Sequence, residues 1–245
     1  MSRIVSLVPS ITELVCELGL AEQLVGRTGF CIHPKETLKK IPKVGGTKSV
    51  NLKKVRALAP THVIVNVDEN KKETADALAE FVPNVVVTHP LAPLDNLALY
   101  RQIGNAFEKQ REAEALCVRF ESIYESVVRK AFRARRVLYL VWKDPWMTVS
   151  RDTYISRTLG LFGLQTLPES ADARYPKISL EGSWLRDVEV VLLSSEPYRF
   201  REKHLDEIKN TLNKPARLID GEMTSWYGSR AIQGLRYLSD FSATL

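Results

Sequence analysis

Residues 94–135 read LDNLALYRQIGNAFEKQREAEALCVRFESIYESVVRKAFRAR. The stretch holds no proline and a single glycine, Gly104. Leu116, Phe120, Ile123 and Val127 step by 4, 3 and 4, and Tyr124 and Val128 widen the stripe. That spacing gathers apolar side chains on one face of an α-helix. Leu97, Leu99, Ile103 and Phe107 form a shorter pattern of the same kind just before it. The second helix is expected over about 109–135, which at ~1.5 Å per residue is roughly 40 Å. A helix of that length can cross the back of a small protein, so its flanks decide the fold.

Both flanks alternate strand and helix. On the N-terminal side, residues 3–8 are a β-rich apolar run that Pro9 breaks. Ser10 is expected to cap a helix over 11–18, with Glu13 completing a capping box, and Gly19 closes it. A strand over 24–28 leads into a loop, 29–49, which carries Phe30, Cys31, His33, Pro34, Pro42 and the Gly45-Gly46 pair. Loops that long in a compact domain usually serve function. Asn51 caps a helix over 52–58, strand 62–67 follows, and Asp68, Glu69 and Asn70 make a polar turn. A helix over 71–81 and a strand over 84–88 complete this half.

The same order resumes after the central helices. Strand 137–141 precedes a loop with Trp142, Asp144, Pro145 and Trp146, then a helix over 153–162 and a short strand over 165–167. A polar loop over 168–177 follows. Ser179 is expected to cap a helix over 180–185, before strand 188–193. Loop 194–200, helix 201–212, strand 216–219, a loop with Trp226 and Tyr227, and a last helix over 229–241 end the chain. The halves repeat in topology, with Val63 matching Val190 at an offset of 190 − 63 = 127 residues. The expectation is an α/β protein: two Rossmann-like lobes with mainly parallel sheets, joined by one long backbone helix. The boundaries are 1–93 for the N-terminal lobe, 94–136 for the linking helices and 137–245 for the C-terminal lobe.

Composition excludes several classes. The 245 residues are 44% hydrophobic and 26% charged, as in ordinary globular proteins. Net charge is 35 − 29 = +6, spread in small clusters without the continuous basic face and interleaved aromatics of a nucleic-acid binder. Cys16, Cys31 and Cys117 are too few and too scattered for a disulfide framework. Cys16 and Cys117 are expected to be buried. No run of ~20 apolar residues spans a membrane. The chain enters a strand pattern directly after MSR, so as written it is expected to be cytoplasmic, unless a leader has been removed. A monomer is expected.

In α/β lobes, ligands bind beyond the C-terminal ends of the strands. The loops there carry Ser10, Phe30, His33, Asn66 and Asp68 in the first half, and Trp142, Trp146, Tyr198, Trp226, Tyr227 and Arg230 in the second. Aromatics gathered with a few polar groups suit a large, flat or greasy ligand. Arg230 is a candidate contact for an anionic group, and Ser10 reads either as a plain cap or as part of an anion-binding helix start. No His/Cys cluster has metal-ligand spacing. No GxSxG, P-loop or GxGxxG is present. No catalytic residue, resident metal or tightly bound cofactor is expected.

Three first-half blocks, RIVSLVPSITELVCELGL, VGRTGFCIHP and KVGGTKSVNLKKVRALAPTHVIV, resemble the helical-backbone (class III) substrate-binding proteins of ABC importers. The similarity is strongest to the cobalamin-binding branch, whose relatives bind iron–siderophores or haem. The second-half blocks VLYLVWKDPWMTVSRDTYISRTLGLFG, PKISLEGSWLRDVEVVLLSSEP and SWYGSR fit as well. The resemblance implies a binding protein with a ligand cleft between rigidly bridged lobes. It implies cobalamin or an iron chelate as ligand and, if the chain is exported, an importer permease as partner. It places the family's aromatic contacts at Trp142 or Trp146 and at Trp226. Where cobalamin binders carry an aromatic after the first-lobe strand, this chain has Asn66 followed by VDEN. Glu73 is a counterpart for one of the family's docking carboxylates. The competing expectation is a cytosolic enzyme or ligand-handling protein on the same scaffold. It would act on a phosphorylated or nucleotide-like metabolite through Ser10, Gly45-Gly46, Asp68 and Glu69.

Overall fold

The computed structural model describes residues 2–169 and 172–245. Residues 170 and 171, inside the polar loop expected over 168–177, lie outside them. Contacts divide the chain into two compact units. The first holds 1–90, 95–118 and 227–230; the second holds 91–94, 119–226 and 231–245.

The first unit is built on a four-stranded parallel sheet: β1 (Ile4–Ser6), β2 (Leu24–Arg27), β3 (His62–Asn66) and β4 (Asn84–Thr88), in the order β2-β1-β3-β4. The crossovers run through α1 (Pro9–Glu17), α3 (Leu52–Ala57) and α4 (Lys72–Ala79); α2 (Lys35–Leu38) is a single turn inside the long loop. Val5, Leu7, Val44, Val55, Val63, Val65, Leu78 and Val82 form its core. β-Branched valine dominates because it packs well on a pleated sheet.

The second unit repeats the plan with β5 (Arg135–Leu140), β6 (Leu164–Thr166), β7 (Val190–Ser194) and β8 (Ala216–Ile219), again all parallel, in the order β6-β5-β7-β8. Its helices are α7 (Tyr154–Gly160), α8 (Glu202–Leu212), α9 (Gly221–Ser225) and α10 (Ala231–Ser242). Leu138, Leu140, Val191, Leu193, Phe200 and Ile208 anchor its core. The repeated strand order is the duplication expected from the sequence. One crossover differs: the helix expected over 180–185 is a 3-10 turn, Ser183–Asp187, and the Ser179 hydroxyl accepts from the Glu181 N–H rather than capping a helix. Gly182 and Ser183 favour a turn there over an extended helix.

The central helices are α5 (Asp95–Ala106) and α6 (Gln110–Val128). Gly104 lets them cross closely, since a Cβ there would sit 2.6 Å from the Ala113 Cβ. α6 has 19 residues, about 28 Å at ~1.5 Å each, and stops short of the expected 135. The cause lies downstream. Arg135 donates its N–H to Gly163 O, and Val137–Leu140 are fully buried in an inner strand of a sheet. Sheet pairing there overrides the helical propensity of the preceding residues. The boundary between the units falls within α6, at Val118 and Arg119.

α1 also starts differently from the expectation. Pro9, not Ser10, opens it, and Val8 is the residue before it, with no side-chain cap. Proline suits a first helical position because its missing N–H would have no partner there. Of the cysteines, Cys31 and Cys117 are buried and Cys16 is partly exposed, so the expected burial of Cys16 is incomplete. Among the described residues, no helix is long and apolar enough to cross a membrane.

Candidate functional site

The first unit's candidate surface is the C-terminal edge of its sheet. β1 leads there into α1, β2 into the turn carrying Phe30 and Ile32, and β3 into Val67–Asn70. Three large apolar side chains stand open on these loops: Phe30 at 62% exposure, Val67 at 52% and Ile32 at 48%. Exposed apolar side chains grouped on loops mark an interaction surface more often than singly scattered ones do. A polar scaffold holds the loops beneath them. Asn66 Oδ1 accepts from the Asp68 N–H at 2.8 Å and the Glu69 N–H at 3.3 Å, an Asx turn. Asn70 Oδ1 accepts from the Asn66 N–H at 2.8 Å, and its Nδ2 donates to Thr47 O at 3.0 Å. Lys48 Nζ donates to Asp68 O at 2.6 Å, and His89 Nε2 lies 3.6 Å from Asp68 Oδ1. Below them Thr12 Oγ1 lies 3.0 Å from Cys31 Sγ and 2.8 Å from Ser6 Oγ. Burial pushes the Cys31 thiol up, so it stays protonated and inert.

The 227–230 segment belongs to this unit. Tyr227 donates its hydroxyl to Glu69 Oε1 at 2.5 Å. The Gly228 N–H donates to Asn96 Oδ1 at 2.7 Å, and Tyr100 donates to Gly228 O at 2.9 Å. Arg230 binds Glu13 in bidentate fashion, both bonds at 2.7 Å.

The second unit's edge is an aromatic run. Trp142 opens a turn after β5 and is 39% exposed. Its ring meets Tyr198 edge-on at 5.7 Å, Tyr198 meets Phe200 at 4.7 Å, and Phe200 stacks on Trp146 at 6.1 Å. Offset and edge-to-face contacts like these satisfy the ring quadrupoles. Lys143 Nζ sits 5.4 Å over the Trp146 ring and bonds both oxygens of Glu207, at 2.6 and 2.5 Å. His204 packs against Tyr198 and Phe200 from α8. The same loop, between β7 and α8, also meets the end of α9, where Glu196 Oε1 accepts from Trp226 Nε1 at 2.6 Å and Ser225 Oγ at 3.0 Å.

The sequence profile of the family described as "Periplasmic binding protein" matches residues 4–214. The chain belongs to this family. The family is one of binding proteins and does not favour the alternative of an enzyme or ligand-handling protein acting on a metabolite. The chain is 23% identical over 199 residues to a vitamin B12-binding protein of Pectobacterium carotovorum subsp. carotovorum, covering 80% of this chain and 72% of that one. Solved structures share its fold, among them the following two. The periplasmic vitamin B12 binding protein of Vibrio cholerae superposes with a TM-score of 0.80 at 17% identity, covering 99% of this chain and 97% of that one. A periplasmic heme-binding protein from Roseiflexus sp. RS-1 gives 0.80 at 22% identity, covering 99% and 97%.

The candidate residues of this binding protein fall on two separate edges. Ser10, Phe30, His33, Asn66, Asp68, Tyr227 and Arg230 belong to the first unit; Trp142, Trp146, Tyr198 and Trp226 belong to the second. Phe30 and Trp142 are open, whereas Ser10, Asn66, Trp226, Tyr227 and Arg230 are buried. Asn66 builds a turn, and the Arg230 guanidinium is engaged by Glu13. Glu13 is therefore an ion-pair partner and not half of a capping box. Ser10 sits within α1, with its Oγ buried and without a partner. The first-unit reading missed Ile32 and Val67, although both flank polar residues that it named. Glu196 and Glu69 were missed as anchors because their partners lie 30 and 158 residues away. A hollow of about 640 Å³ lined by Arg27, Lys39, Lys43, Lys54 and Leu58 contains none of the candidate residues.

Proposed function

We propose that this protein captures cobalamin or a similar metal chelate, an iron–siderophore or haem, for an ABC importer. The observation that carries the reading is the pairing of open apolar side chains with aromatic runs at the C-terminal strand edges. Phe30, Ile32 and Val67 supply one such surface, and Trp142, Tyr198 and Trp146 the other. A corrinoid or porphyrin ring offers broad faces to such side chains, and contacts of this kind carry much of the affinity for large flat ligands. The relatives named above, two for vitamin B12 and one for heme, support the ligand class. The chelate is cargo in this reading, and a permease outside this chain is the partner that receives it.

The experiment is titration of the purified protein with cyanocobalamin and, separately, with haemin. Ligand at a hundredfold excess over Kd adds ~2.7 kcal/mol to stability. The expected result is a rise in melting temperature with a shift of the ligand's visible spectrum. Absence of both changes with both compounds refutes the cobalamin and haem readings.

A further inference from the structure

The basic clusters are unevenly placed along the chain. Between Glu36 and Asp68 lie 68 − 36 − 1 = 31 residues without an acid, and they carry six lysines and Arg56. The rest of the chain has 35 − 7 = 28 Lys and Arg against 29 Asp and Glu, so the net charge of +6 comes from this one segment.

Within the first unit the segment folds around the hollow of about 640 Å³. Of its nine lining residues, Arg27, Lys39, Lys43 and Lys54 are cationic, and the other five, Val44 and Leu58 among them, are apolar. β2 and segment 39–44 supply one wall. The Arg27 N–H donates to Pro42 O at 3.0 Å and the Val44 N–H to Arg27 O at 2.8 Å, so the chain at 42–44 runs beside β2. α3 supplies the other wall. Asn51 Oδ1 caps it by accepting from the Lys54 N–H at 3.0 Å. Lys54, Ala57 and Leu58, spaced i, i+3, i+4, share the face that lines the hollow.

Arg27 is the cation built into this site, at only 7% exposure. Its Nε donates to Leu38 O at 3.0 Å, and its Nη1 to Thr28 O at 3.1 Å and Cys31 O at 2.9 Å. Its Nη2 takes part in none of these bonds. Three carbonyls hold the guanidinium without neutralising it, and a buried charge held in this way favours an anion beside it. Among the described residues, Arg27, Lys43 and Lys54 form no ion pair. Lys39 pairs with Glu36 at 2.6 Å, but both side chains are highly exposed, so that contact breaks at little cost. A cleft lined by one sign of charge concentrates counter-ions.

We propose that this hollow binds a phosphate-bearing anion, at a place separate from the strand-edge loops assigned to the chelate. The planar guanidinium fork matches phosphate oxygens, and the lysine ammonium groups add point charges around it. The apolar walls receive the uncharged part of the same compound. A soluble phosphate compound and a lipid headgroup share this chemistry. The inference stands apart from the chelate reading, because the hollow contains none of the residues on which that reading rests.

The test is calorimetric titration of the full chain, without chelate, with sodium pyrophosphate at low salt, where screening is weakest. A parallel arm is co-sedimentation with phosphatidylglycerol vesicles, with phosphatidylcholine vesicles as the blank. The double variant Lys43→Gln/Lys54→Gln should bind about 10-fold more weakly. The double variant Lys203→Gln/Lys209→Gln removes the same charge from α8 in the second unit and should change binding less than ~3-fold. All four lysines are exposed, so both variants should melt with the wild type. Pyrophosphate binding that falls in the first variant alone supports the proposal with a soluble phosphate. Phosphatidylglycerol binding that falls in the first variant alone, without pyrophosphate binding, supports it with a lipid headgroup. Binding of neither probe, or equal loss in both variants, overturns it.

Discussion

The pair of Glu13 and Arg230 decides whether the late 227–230 segment is structural or a ligand contact. Both charge-assisted bonds are 2.7 Å long, and the side chains are only 21% and 10% exposed. Removing one partner of a fully buried pair costs ~3–5 kcal/mol, because the other charge is left without compensation. Glu13 retains some contact with water, so Glu13→Ala should cost less, ~2–3 kcal/mol. The assay is urea denaturation of Glu13→Ala, Arg230→Met and the double variant. The m-value should stay constant, and the cycle should give a coupling of ~1–2 kcal/mol. At ~2–4 °C per kcal/mol for a chain of this size, Glu13→Ala should melt ~5–10 °C early. A coupling below ~0.5 kcal/mol refutes the reasoning. So does an Arg230→Met variant with unchanged stability and abolished cyanocobalamin binding, which would return Arg230 to the ligand.

Four further outcomes are expected. Trp142→Ala removes a ring that is 39% exposed and touches Tyr198, so stability should fall by only ~1 kcal/mol, while cyanocobalamin affinity drops at least ~10-fold; equal binding by the variant would remove Trp142 from the site. Gly234→Ala places a Cβ 2.3 Å from Met223 O and should cost more than ~2 kcal/mol as α10 is forced off α9. Gly160→Ala meets nothing within 4 Å at an exposed helical position and should gain ~0.5–1 kcal/mol by chemical denaturation. Burial pushes the Cys16 thiol up to about 11, and Cys31 and Cys117 are buried, so iodoacetamide at about pH 8 should label the folded protein slowly and the denatured protein fully; fast labelling of folded Cys16 contradicts this.

Strand order was legible because its signal is local. Runs such as His62–Asn66 and Val190–Ser194 are short, apolar and bounded by polar turns, and alternation with helices forces parallel crossovers. Helix ends were less legible where a distant strand claimed the residues. Arg135 lies in a helix-favouring run, yet its N–H pairs with Gly163 O, a partner 28 residues on. The aromatic edge was readable as a concentration of Trp and Tyr in loops. Their roles were not. Trp142 and Trp226 are the same residue type in similar loops, yet one is open and the other is buried and bonded to Glu196. Trp226→Ala therefore carries a structural cost, since truncation strands Glu196 without its indole donor.

The segment 227–230 shows why the site resists a purely sequential reading. Contiguity assigns it to the second half, and no spacing rule within SWYGSR says otherwise. Its assignment rests on partners far back in the chain: Glu13, 217 residues from Arg230; Asn96, 132 from Gly228; and Glu69, 158 from Tyr227. Two of those residues also had a complete local explanation: Glu13 reads as a capping-box acid and Glu69 as a turn residue. A residue with a sufficient local role gives no sign of a distant one, so such anchors are invisible until the backbone is placed. The same concealment applies to Glu196, which in sequence is only an acid before a proline. The consequence for mutagenesis is that the exposed aromatics read from the sequence and the half-buried carboxylates read from the structure must be varied separately. Loss of binding on changing Glu13, Glu69 or Glu196 would otherwise be mistaken for loss of a ligand contact.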